Sequence, residues 1–199
     1  MSIDQLKATI SKKGGLSQAN RFNVMFTPPQ GSLLNSDPAT LIGGLASGGG
    51  LSNIVNDPRD ISLLAESVNL PSSQITTLDH IAEKQSVKIP YAVIQEEVTM
   101  TFLLTNDYYI KNLFDKWGQS IIDLETYRVA YKKDIVTDVV IQQLNKQNIP
   151  IYGVKLENAF LTTIGGIALS NESADTPNKL TVTFSYDKYV VEDGLTSAI

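Results

Sequence analysis

In KLTVTFSYDKY, residues 179 to 189, Leu180, Val182, Phe184 and Tyr186 share one phase, and Lys179, Thr181, Thr183, Ser185 and Asp187 share the other. A period of two predicts a strand with one face in a core. EEVTMTFLL (96–104) repeats the design, with Val98, Met100, Phe102 and Leu104 opposed to Glu97, Thr99 and Thr101. In both segments the polar phase is mainly small hydroxyls, neither apolar enough to pack nor charged like an ordinary outer surface. RFNVMFT (21–27) carries Phe22, Val24 and Phe26 in one phase and ends at Pro28 and Pro29. A different period follows the second strand. In TNDYYIKNLFDKWGQSII, Ile110, Leu113, Phe114, Trp117 and Ile121 recur at helical offsets, with Thr105 or Asn106 as the expected N-cap. The predicted core is Phe22, Val24, Phe102, Phe114, Trp117, Val182, Phe184 and Tyr186.

The remaining segments have weaker patterns. Ile3, Leu6 and Ile10 predict a short amphipathic helix stopped at Gly14 and Gly15. ISLLAESVNL (61–70) reads as a strand stopped by Pro71, and SVKIPYAVI as irregular extended chain or a hairpin arm, because Pro90 breaks a central strand. DIVTDVVIQQL (134–144) and IPIYGVKLENAF (149–160) form a hairpin across NKQN, although both faces of the first are apolar and its phase stays open. From Pro28 to Asp60 the chain is rich in Gly, Ser, Asn, Asp and Pro around GGLASGGGLSN, which predicts an excursion loop. The expected fold is mainly β (α+β): an antiparallel sandwich or barrel with one flanking helix. Residues 1–199 read as one domain, with a helical arm over 1–20 and the insertion over 28–60.

Composition narrows the function. The net charge is −5, which argues against affinity built on neutralising phosphates. With no cysteine and one histidine, there is no disulfide framework, no thiolate nucleophile and no zinc ligand set. No apolar run approaches the length of a membrane span or a signal peptide, so neither membrane insertion nor standard export is expected. His80 follows Asp79, but neighbours in extended chain point to opposite faces, so the pair does not make a dyad there. The glycine-rich segment lacks GK[ST] and GxGxxG, and Glu96, Glu97 and Asp138 read as solvated groups. The basic cluster Arg128, Lys132 and Lys133 reads as a surface or intermolecular salt-bridge site. No catalytic, cofactor or metal site emerges, and the expectation is that the protein is not an enzyme.

The hydroxyl faces have two explanations: the exposed back of a half-buried sheet, or the wall of a water-filled channel. A lumen about 40 Å wide needs roughly 24 strands at about 4.8 Å spacing and a tilt of about 40°. Seven or eight strands per chain, some four of them facing one way, put the closed ring at about six copies.

The order of several segments resembles the tail tube proteins of contractile-tailed bacteriophages. SQANRFNVMF is similar to their first strand through Asn20, Phe22 and Val24, and NLPSSQI to the Leu–Pro ending of the second through Leu70 and Pro71. VTMTFLLTNDYYIKNLFDKWGQSI resembles the strand and helix with Phe–X–X–Trp, here Phe114 and Trp117. GVKLENAFLTTIGGIALSNESADTPNKLTVTFSYDKY resembles the closing hairpin and last strand, ending in Phe184, Tyr186 and Tyr189. The chain departs from the family in having Leu161 after Phe160, where members commonly carry Pro, and in the length of its insertion. The resemblance implies hexameric rings stacked into a tube inside a sheath, with a continuous β-barrel around the lumen. The implied partners are other copies of the chain, the tail sheath protein, a baseplate tube initiator and a tape measure protein in the lumen. The resemblance further implies that DNA passes through without specific binding and that the tail is assembled in the host cytoplasm. Pyocin-like particles and type VI secretion tubes share the architecture, so an effector is the alternative cargo. Thr99, Thr101, Thr181, Thr183 and Ser185 are then the expected lumen-facing residues. Gly48, Gly49 and Gly50 are expected in an inter-ring loop, and the N-terminal helix in ring-to-ring or sheath contacts. The rival readings are a tube initiator or terminator at the baseplate or neck and, from another class, a small-ligand-binding β-barrel or an enzyme.

Overall fold

A computed structural model describes residues 2–26, 58–82, 85–170 and 176–192. The insertion expected over 28–60, with Gly48, Gly49 and Gly50, lies outside these except for its last residues. The order of elements is α1 (Ile3–Lys12), β1 (Phe22–Phe26), α2 (Pro58–Leu64), β2 (Ala65–Val68), β3 (Ser73–Ala82), β4 (Gln85–Gln95), β5 (Val98–Leu103), α3 (Tyr109–Ile121), α4 (Lys132–Ile135), β6 (Thr137–Leu144), β7 (Pro150–Ile164), β8 (Lys179–Ser185) and β9 (Lys188–Val191). Pairing is antiparallel throughout. The main sheet runs β1-β6-β7-β8-β5-β2, with β9 also on β7, while β3 and β4 form a separate two-stranded ribbon.

Strand β7 belongs to both halves of the main sheet. Its first part pairs with β6 and β9, and its last residues pair with β8. The change of partner falls at Asn158, whose φ of 55° lies in the left-handed region. Asparagine tolerates that conformation better than most residues. Its backbone N–H donates to Asp138 Oδ1 at 3.3 Å and its side-chain amide to Asp187 Oδ2 at 3.0 Å, so two carboxylates hold the corner.

The two halves enclose an aromatic core seated by α3. Ile110, Leu113, Phe114 and Trp117 are the buried positions of that helix. Phe114 meets Phe102 at a centroid distance of 5.3 Å and Phe26 at 5.9 Å, and Trp117 meets Phe184 at 5.8 Å. The indole N–H of Trp117 donates to the Ile135 carbonyl at 3.0 Å, which gives its one polar atom a buried partner. Val24, Val182 and Tyr186 are also buried, and Phe22 packs against the cluster half-buried.

Several local expectations are corrected. Residues 61–70 are not one strand: α2 reaches Leu64 and β2 begins at Ala65. The buried Ile61 sits a helical three residues before half-buried Leu64, a match too short to separate two periods in sequence. Residues 73–82 form a strand that the sequence did not announce, and its partner β4 contains Pro90. A two-stranded ribbon leaves each strand an outer edge, and Pro90 sits beside a bulge at Thr76/Thr77, so its missing N–H is tolerated. Neither Thr105 nor Asn106 is the cap of α3. The N-cap is Tyr108, at φ 51°, after a turn closed by the Tyr108 N–H on the Thr105 carbonyl at 3.0 Å. Asp107 Oδ1 takes over the capping role, accepting the Tyr109 N–H at 3.4 Å. Residues 134–144 open with the end of α4 before β6, and the last strand of the sequence breaks after Ser185 into β8 and β9.

Replacing Phe184 by Ala should cost about 3–5 kcal/mol in denaturant unfolding, since the ring is fully buried among Phe26, Phe114 and Trp117. Gly165→Ala should lower the melting temperature without altering α3. A Cβ there would stand 2.8 Å from the Thr181 carbonyl oxygen, which accepts the Gly165 N–H.

Candidate functional site

The outward face of β2, β5, β8 and the end of β7 gathers hydroxyls in rows. Register places Ser67 beside Thr101 and Thr101 beside Thr181. The next row is Thr99, Thr183 and Thr163. Thr101 Oγ1 and Thr181 Oγ1 lie 3.5 Å apart, and Thr162 Oγ1 donates to the Thr183 carbonyl at 3.2 Å. Ser185 continues β8 in the same phase. Thr181, Thr162, Thr163 and Ser67 are exposed, whereas Thr99, Thr101, Thr183 and Ser185 are half-buried by their neighbours in the sheet. Alternate positions Val98, Met100, Leu180, Val182 and Phe184 are fully buried.

The structure thus brings all five hydroxyl residues of the sequence pattern onto one face and adds three that sequence reasoning missed. Ser67 was hidden inside a segment read as a longer strand. Thr162 and Thr163 lie past the expected end of β7, where a bulge between Leu161 and Thr163 leaves both exposed. The threonine pair after a buried Leu161 was the available signal. Charge touches this face at its margin, where Lys179 pairs with Glu66.

The opposite half of the main sheet presents charges in pairs. Lys155 meets Asp138 at 2.7 Å, Lys188 meets Glu157 at 2.9 Å, and Lys132 pairs with Asp187. The hydrogen bond from Lys155 holds the Asp138 carboxyl below the usual carboxylate range, and that from Lys132, with Asn158, does the same for Asp187. Burial, with Tyr189 and Glu96 nearby, pushes the Tyr186 phenol up.

The β3–β4 ribbon exposes Ile75, Leu78, Ile81, Val87, Ile89, Tyr91, Val93 and Ile94. Register groups Ile94, Ala92, Leu78, Ile89 and Val87 on one side, with His80, and Ile75, Val93 and Ile81 on the other, beside the Asp79–Lys88 pair. Leu78, Val93 and Tyr91 are each more than 60% exposed, and contiguous apolar exposure of this kind is characteristic of interaction sites. Among the described residues, no group of three or more His, Cys, Asp or Glu could hold a metal ion. No described helix is long and apolar enough to cross a membrane.

A family model described as phage tail tube protein matches residues 17–192. The chain belongs to the phage tail tube protein family. This tail tube family member therefore has a structural role and is not an enzyme. Its fold recurs in solved structures at low identity. A chain of the anti-feeding prophage baseplate, 6-fold symmetrised, aligns with a TM-score of 0.59 and 13% identity over 91% of this chain and 97% of that one. A chain of the sheath-tube complex of an extracellular contractile injection system, in the extended state, gives 0.59 and 14% over 96% and 98%. One from the sheath/tube terminator of such a system gives 0.57 and 16% over 89% and 97%. A comparison with curated protein sequences finds no match.

The corner of β7 in this tail tube family member should be acid-sensitive. Asp138 and Asp187 have folded-state values below their unfolded ones, so their contribution is complete above about pH 5 and is lost as pH falls through the lowered values. The melting temperature should drop between pH 5 and pH 2 (roughly the carboxylate range), and Asp138→Asn with Asp187→Asn should flatten that slope. Asn158→Leu should destabilise by about 1–2 kcal/mol at neutral pH through its left-handed backbone.

Proposed function

We propose that this chain is the repeating subunit of an inner tail tube, with six copies to a ring and stacked rings forming the channel through which DNA leaves the capsid. The carrying observation is the hydroxyl face spread over four strands, with charge only at its margin. Six such faces side by side supply roughly 24 strands, which close around a bore about 40 Å wide at ordinary spacing and tilt. Among the described residues the outer edge of β2 and the second edge of residues 160–164 carry no ladder partner. Joining these edges between copies continues the sheet and removes the exposed backbone. The six-fold symmetry of the baseplate that contains a similar fold supports the ring count.

Serine and threonine suit a wall along which a polyanion moves. Duplex DNA carries a charge about every 1.7 Å of its axis, so a lysine-lined bore would hold it by many contacts at once. An uncharged face in a chain of net charge −5 does not. On this reading Thr99, Thr101, Thr181, Thr183 and Ser185 face the lumen together with Ser67, Thr162 and Thr163. A tape measure protein occupies the lumen before ejection. The β3–β4 ribbon lays its exposed apolar side chains on neighbouring copies, and the segment with Gly48, Gly49 and Gly50 contributes to ring stacking. The tail sheath packs outside, a baseplate initiator starts the tube in the host cytoplasm, and residues 1–199 act as one tube-forming domain.

A second reading has its own support. The chains from a baseplate, a sheath-tube complex and a terminator score within 0.02 of one another (0.59, 0.59 and 0.57), so the fold serves all three positions equally. Counting copies per particle by quantitative mass spectrometry separates them: tens of rings for a tube subunit, one ring for an initiator or terminator.

Thr183→Lys combined with Ser185→Lys should leave folding and ring formation intact while slowing DNA release from assembled particles, measured by dye uptake into ejected DNA. Blocked ring formation with normal folding would place this face in a subunit contact and remove the lumen assignment.

A further inference from the structure

Helix α1 lies before residue 17, where the match to the tail tube family begins. It is nevertheless a finished element. Ser2 and Gln5 form a capping box, Asp4 sits in the first turn and Lys12 in the last, and Gly14 and Gly15, at φ 79° and 103°, end it. Ten residues are too few to persist as a helix in water on backbone bonds alone. Yet none of them is buried. Ile3, Leu6 and Ile10 form one stripe, with Ile3 71% and Leu6 58% exposed. The stripe calls for a surface beyond the described part of its own subunit.

Charge indicates which surface. Residues 1–20 carry Lys7, Lys12 and Lys13 against Asp4, a net +2. Taking that from the −5 of the whole chain leaves −7 on residues 21–199. A cationic arm on an anionic body finds its complement in another body of the same kind. The loop after α3, closed by the Ile122–Val129 bridge, offers the matching chemistry. Leu124, Tyr127 and Val129 are largely exposed beside Asp123 and Glu125, with Arg128 as the cation of residues 122–129; of the two lysines that follow, Lys132 is paired with Asp187. The Asp123 carboxylate accepts the Glu125 N–H at 2.9 Å and the Thr126 hydroxyl at 2.6 Å, bonds that keep it ionised into acid. Gln143 Nε2 donates to the Gln18 carbonyl at 2.7 Å and fixes the chain there, so residues 14–17, about 13 Å when extended, carry the helix clear of its own β1.

We infer that α1 is an assembly arm that lays Ile3, Leu6 and Ile10 on a second copy of this chain, against the anionic and apolar loop of residues 122–129. The inference rests on the tube reading and deepens it, since it adds to the family fold a contact made by residues outside the family match.

The chain has no cysteine, so Leu6→Cys supplies a unique thiol for a maleimide–benzophenone cross-linker. Particles assembled from isotopically light and heavy copies should yield cross-linked peptides that join α1 of one isotope to residues 122–131 of the other. Leu6→Glu with Ile10→Glu should raise the concentration needed for half-maximal assembly about tenfold or more, with the subunit's melting temperature unchanged because neither side chain is buried. Cross-links confined to a single isotope or to a different virion protein overturn the inference, as does assembly of the double variant at the wild-type concentration. A wild-type chain that stays monomeric even when a tube-initiating complex is added refutes the tube reading first, and this inference with it.

Discussion

The packing of Phe114 and Trp117 of α3 against Phe26, Phe102 and Phe184 is the contact on which the rest of the subunit depends. These rings come from β1, β5, β8 and the helix, so one cluster ties together segments distant in the chain. Because side chains alternate along a strand, burying Phe102 and Phe184 turns Thr101, Thr181 and Thr183 outward. The hydroxyl face is therefore the other side of the aromatic core. A shift of one residue in either strand would exchange the two, and the aromatic residues hold the phase against that exchange.

Strand β7 extends this logic into two surfaces of different character. Up to Asn158 it carries Lys155 and Glu157 outward into the paired charges beside β6 and β9. Past the corner it carries Thr162 and Thr163 outward beside β8. A single left-handed residue held by two carboxylates thus separates a charged surface from an uncharged one. In the proposed ring these become the sheath side and the bore, which have opposite requirements. A wall that grips nothing must lack fixed cations, whereas an outer surface gains solubility and partner selectivity from charge.

The apolar groups left outside the core then have a common explanation. The β3–β4 ribbon, the loop after α3 and the stripe of α1 each expose side chains whose burial would exclude water from large area. A structural subunit whose work is assembly keeps such surfaces for its neighbours, and its unpaired sheet edges point the same way.

Sequence alone determined the parts governed by local periodicity. The alternation in residues 98–104 and 179–185, the helical spacing from Ile110 to Ile121 and the glycine stop after α1 are each short-range patterns, and each yields its element. What local pattern could not decide was set by partners distant in the chain. Residues 73–82 pair along the whole of β4 despite Pro90, because a ribbon has outer edges that a sheet interior lacks. Ile61 enters the core from a helix because α2 packs on β1, where Ser62 bonds Asn23. The corner at Asn158 exists because Asp138, twenty residues before it, and Asp187, twenty-nine residues after it, converge on it. Ser67, Thr162 and Thr163 join the hydroxyl rows only through register. Register is a relation between strands, and a single strand's sequence carries half of it.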